Sequence, residues 1–155
     1  MPFQSSDGAL SFMDYQANNS GKIQYRERSR QIIDFSGLQY GFITPTDIDG
    51  LIEYKGIAYA LIEMKYGNAE MPGGQKLAIE RMINDFQKNG KLSAAFLCQH
   101  NVQNPEIDIL AANSIVRSCY FNKIWRSDGK RTLKQRLDAF IQFAESMHSK
   151  RKEQK

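Results

Sequence analysis

The sequence predicts an α/β domain built on a mixed sheet with flanking helices, and three observations carry that prediction. Two apolar runs, Asp47–Tyr54 and Gly56–Tyr66, meet at a short polar-glycine link, Lys55 and Gly56, which is the pattern of an antiparallel hairpin. A segment of helical period, Gly74–Gly90, separates this hairpin from a compact apolar run, Lys91–Gln99, the order expected of a parallel crossover. A last amphipathic segment, Arg131–His148, spaces Leu133, Leu137, Phe140, Ile141 and Ala144 along one helical face.

The chain has 155 residues, 41% hydrophobic and 25% charged, the size and composition of a single domain with a real core. Residues 1–20 are polar and without sustained period, and are expected to be a loop or an arm. Asn18–Gly37 carries cap residues at Asn19 and Ser20 and ends on a glycine, which fits a short helix. In the second strand of the hairpin, Ile57, Tyr59, Leu61, Glu63 and Lys65 share one side. Ala58, Ala60, Ile62 and Met64 make the other side apolar, so the strand is expected to be covered on both faces. Tyr66–Gln75 reads as a loop. The following helix presents Ile79, Met82, Ile83 and Phe86 to the sheet. Glu106–Arg126 is expected to add one or two strands, and residues 150–155 a basic tail.

No apolar run approaches the roughly 20 residues that span a bilayer, and the first residues lack a basic start and an apolar middle. These features predict a cytoplasmic protein with no membrane partner. Cys98, His100, Cys119 and His148 lack the paired close spacings of structural zinc, and a disulfide framework is not expected. The net charge of +4 gathers in Lys22–Arg30, Asn122–Arg136 and the tail. Such clusters favour a polyanion such as DNA, although a solvated surface accounts for them equally.

The chemistry lies at the end of the hairpin. Glu63 and Lys65 close an otherwise apolar strand, and Asp47 and Asp49 open its partner on the same side. Buried ions cost several kcal/mol each, as an order of magnitude, unless something compensates. One reading is an ion pair at a solvent-facing strand end, with the aspartates serving the preceding turn. The other brings Asp49, and Asp47 as an alternative or additional ligand, across to Glu63. Converging carboxylates repel unless a cation sits between them, and hard oxygen ligands select Mg²⁺, with Mn²⁺ able to substitute. Lys65 would then stand beside an acidified water.

An Asp at the opening of one strand, Asp49 in "TDIDG", with Glu-x-Lys at the end of the next, "EMK" at 63–65, resembles the PD-(D/E)XK nuclease superfamily. The resemblance covers about Gly37 to Gln99. The stretch from Asp34 to Tyr54 looks like the small phage-encoded members in particular. It implies a restriction-endonuclease-like fold and a Mg²⁺-dependent deoxyribonuclease, an endonuclease hydrolysing DNA phosphodiester bonds. Asp49 and Glu63 would be metal ligands and Lys65 the catalytic lysine. Gln75, on the helix that follows, matches a Gln that many members use, and reads equally as an ordinary first-turn residue. Ile79 stands where some subfamilies carry a Tyr. Glu27 matches an acid that other members place on their first helix, but reads more simply as a solvated partner of Arg26 or Arg30.

His100, at the end of the fourth apolar run, reads as a strand-end histidine more readily than as a base. Trp125, Tyr120 and Phe121 alternate with Arg117, Lys123 and Arg126, either as core or as an aromatic and basic surface for nucleic acid. The strand–loop–helix at Glu63–Lys76 lacks the Gly-Lys-Ser/Thr of a phosphate loop, which excludes an NTPase of that type. A domain this small is expected to be structure-selective or weakly sequence-specific, with a homodimer as one arrangement. Two rival readings are an inactive nuclease-fold DNA-binding or complex subunit, and an assembly protein whose Glu63 and Lys65 pair at an interface.

Overall fold

The structure is a computed structural model that describes residues 21–23 and 25–155. The expected arm and the cap residues Asn19 and Ser20 lie outside the described residues. The chain divides into two compact units, 1–45 and 46–155.

In the first unit the expected helix shrinks to α1, Arg26–Ser29, and the chain is already irregular before Gly37. Ile23, Ile32 and Ile33 are each at least 75% exposed, so no apolar stripe repays the cost of nucleating a longer helix.

The second unit is a five-stranded mixed sheet in the order β1-β2-β3-β4-β5, with one helix on each face. Strand β1, Gly50–Tyr54, pairs antiparallel with β2, Ala58–Tyr66. Lys55 and Gly56 have φ of 50° and 66°, and Ile57 N donates to Tyr54 O at 2.9 Å. Two positive φ values in succession are what a two-residue hairpin of native twist demands. Helix α2, Gly73–Lys88, returns the chain to β3, Leu92–His100, which lies parallel to β2. Strands β4, Ile115–Phe121, and β5, Ile124–Ser127, complete the sheet as a second antiparallel hairpin. A single 3-10 turn, Ala111–Asn113, is all the regular structure between β3 and β4. Helix α3, Leu133–Glu153, opens on a capping box between Thr132 and Gln135. It runs five residues past the expected end, so most of the basic tail is an exposed last helical turn, where Lys150, Arg151 and Lys152 complement the helix dipole.

The period-2 pattern of β2 sorts the core into two layers, as expected. Ala58, Ala60, Ala94, Phe96, Cys98 and Val116 pack with Leu133, Phe140 and Ala144 of α3. On the opposite face Leu61, Ala95 and Tyr120 pack with Ile79 and Ile83 of α2. Glu63 follows Leu61 on that second face, where the α2 stripe ends and polar groups begin.

Candidate active site

The site stands at the C-terminal end of β2, and the hairpin register builds it. Gly50 pairs with Ile62, which sets Asp49, one residue earlier, beside Glu63 and Met64. A Cβ on Gly50 would lie 3.2 Å from Ile62 Cδ1, so the missing side chain lets the two backbones approach and keeps Asp49 in reach. Asp49 Oδ2 accepts from Met64 N at 2.6 Å, where its carboxylate stands in for the next rung of the ladder. Asp49 precedes the strand rather than lying within it, and both Asp47 and Asp49 are exposed.

Glu63 is 4% exposed. Lys65 Nζ donates to Glu63 Oε1 at 2.7 Å and to Gln75 Oε1 at 3.2 Å. Gln75, buried in the first turn of α2, donates through Nε2 to the carbonyl oxygen of Asp47 at 3.4 Å. The four side chains named from the sequence, Asp49, Glu63, Lys65 and Gln75, are thus gathered at one point. Asp47 meets Gln75 with its main chain, its carbonyl oxygen accepting from the amide. Glu27 lies in the first unit and is exposed.

The second oxygen of Glu63, Oε2, is buried without a hydrogen-bond partner among the described residues. Leaving such a group unsatisfied costs about 1–3 kcal/mol, and more for a charged one. Burial raises the Glu63 carboxyl above its ordinary pKa; Lys65 opposes this, and the Asp49 charge adds to it. A cation between Asp49 and Glu63 would relieve both effects. Among the described residues, no three or more His, Cys, Asp or Glu side chains gather as a metal group. Mg²⁺, however, is commonly held by one or two carboxylates, completed by waters and substrate phosphates, and Asp49 and Glu63 fit that mode.

The other candidates resolve into structural roles. His100 ends β3, its ring beside Tyr66, and Nδ1 accepts from Val102 N at 3.2 Å. Cys98 and Cys119 have their thiols pushed up to about 11 by burial, which makes them poor nucleophiles. The aromatic and basic residues of β4 and β5 divide between the two faces of the sheet, with Arg117 and Trp125 lining one cleft on the α2 side. Tyr120 and Trp125 pack towards α2, Phe121 towards α3. Arg126 pairs with Cys119, and Lys123 occupies the turn with φ 64°.

No family model, no curated protein and no solved structure matches the chain. Among the described residues, no helix is long and apolar enough to cross a membrane.

Proposed function

We propose that the protein is a Mg²⁺-dependent deoxyribonuclease of the PD-(D/E)XK type, with a restriction-endonuclease-like fold and DNA as its partner. The observation that carries the reading is the buried Oε2 of Glu63, unpartnered among the described residues, in a side chain held beside Asp49 and 2.7 Å from Lys65 through its other oxygen. A structural ion pair has no reason to leave half its carboxylate unsatisfied. A bound Mg²⁺ would be held by Asp49 and Glu63; it would acidify a water and offset charge on the phosphate.

The chain's own residues do the rest. The Lys65 ammonium would orient the attacking water, and its charge favours the anionic transition state. Gln75 fixes the Lys65 ammonium, while its amide is anchored on the Asp47 carbonyl. The first turn of α2 carries no acid, so the positive end of its dipole faces the incoming phosphate uncompensated.

The test is cleavage of labelled linear, single-stranded and branched DNA with Mg²⁺, Mn²⁺ or EDTA. We expect metal-dependent cutting that falls by about 10²–10⁴-fold in Lys65→Ala. DNA binding without cutting under every metal condition would favour an inactive DNA-binding subunit, a reading to which the small ligand set lends weight.

A further inference from the structure

Beside the candidate site, on the same face of the sheet, lies an open cleft of about 410 Å³ lined in part by Met71, Lys76, Leu97, Arg117 and Trp125. One of its lining residues, Leu97, is the parallel partner of Glu63, so the cleft lies on the strand next to the one that carries the carboxylate. We propose that this cleft binds one unpaired deoxynucleotide of the DNA strand, next to the phosphate to be cut; this rests on the nuclease reading above.

The walls suit that ligand. The register between β3 and β4 shifts at Leu97 and Cys98, which pair with Ser118 and Val116 and leave Arg117 as the extra residue. A bulge re-aims a side chain, and here it turns Arg117 over the cleft, where its guanidinium donates to Ala69 O at 2.6 Å and to Glu70 Oε1 at 2.9 Å. Glu70 is 82% exposed at its side chain, so this pair is weak and a phosphate can take the carboxylate's place in the fork. Across the cleft, Lys76 lies over the Trp125 ring at 5.7 Å. The indole is held by Nε1 donating to Glu80 Oε1 at 2.6 Å. Two cations for a phosphate and a clamped aromatic for a base are the parts of a single-strand site. The volume is that of a small-ligand pocket, and a base enters it to lie against the half-buried Trp125 ring only after leaving a duplex stack.

Trp125 is the only tryptophan in the chain, so its fluorescence reports on this cleft alone. The experiment titrates the full chain, in EDTA so that nothing is cut, with an oligothymidylate of about eight residues and with a blunt duplex. The oligothymidylate is expected to quench Trp125 at concentrations where the duplex does not. Arg117→Gln should weaken that binding about tenfold, and Glu70→Gln, which removes a competing charge from an exposed position, should tighten it severalfold. Absence of quenching, equal quenching by the duplex, or no strengthening in Glu70→Gln would overturn the proposal. If quenching fails while metal-dependent cleavage is observed, the subsite falls and the nuclease reading stands. If quenching follows the pattern while no DNA is cut, the nuclease reading falls and the cleft remains a single-strand site.

Discussion

Two carboxylates, each paired with one cation, differ in their surroundings in this molecule. Asp128, in the turn after β5, is 7% exposed at its side chain and bonded to Arg136; it also accepts from Lys130 N at 3.2 Å. Burial pushes its pKa up, but Arg136 and the neighbouring amides outweigh it, and the net shift is downward. Glu63, 5% exposed at its side chain, has Lys65 on one oxygen and, among the described residues, no partner on the other, and its net shift is upward. Asp128 has donors on its carboxylate from a guanidinium and from neighbouring amides, whereas burial dominates at Glu63, and the opposite shifts follow from that difference in surroundings.

The largest effect expected from this difference is on activity. Glu63→Gln should lower metal-dependent DNA cleavage by about 10³-fold or more, whereas Asp128→Asn should leave cleavage per folded molecule within about threefold of wild type. A cleavage time course on matched folded fractions separates the two, and equal losses in both variants would erase the distinction.

Stability should reverse the order. Asp128→Ala is expected to cost about 2–3 kcal/mol, because it strands a partly buried Arg136. Glu63→Gln should change stability by less than about 1 kcal/mol, because removing the unsatisfied charge is offset by taking the ionic partner from Lys65. Urea unfolding near pH 7 without divalent metal measures both.

The pH dependence carries opposite signs. The lowered pKa of Asp128 contributes stability that is present above the ordinary carboxylate value and lost as pH falls through the folded value. The raised pKa of Glu63 means the native state binds the extra proton, so stability declines as pH rises from the ordinary carboxylate value through the folded one. Subtracting the Tm profile of each Asn or Gln variant from that of wild type should reveal these two slopes. Slopes of the same sign would contradict the assignment.

A smaller effect concerns how Asp49 is held. Gly50→Ala introduces a Cβ 3.2–3.3 Å from Ile62, and the few tenths of an ångström that β1 must yield should lower cleavage about tenfold with under 1 kcal/mol lost in stability. Unchanged cleavage would mean that the approach of the strands does not position Asp49.

Much of this site was legible in the sequence because alternation is a local signal. The faces of β2, the Lys55–Gly56 link and the crossover to β3 all follow from period and turn chemistry, and they bring Asp49, Glu63, Lys65 and Gln75 together. Asp47 and Asp49 look equivalent by alternation; the strand begins only at Gly50, and it is Asp49 whose carboxylate accepts from Met64 N. Arg117 reads from the sequence, with Trp125, as part of an aromatic and basic surface or of the core, but the bulge that turns it towards the cleft arises from the pairing of β4 with β3, and no local pattern announces it. The second hairpin was equally quiet, since its turn residues Asn122 and Lys123 adopt φ of 50° and 64° without the Asn-Gly signature that usually marks such a turn. The pairing of Asp128 with Arg136 joins a turn to the first turns of α3 and depends on how that helix docks.

The central claim is that the open oxygen of Glu63, with Asp49, awaits a divalent cation. Mn²⁺ titration followed by electron paramagnetic resonance, on wild type, Glu63→Gln and Asp128→Asn, tests it without requiring turnover. Binding is expected in wild type and Asp128→Asn and its loss in Glu63→Gln, with Mn²⁺ raising Tm only in the two that bind. Mn²⁺ bound equally by Glu63→Gln, or not bound by wild type with or without DNA, would contradict it.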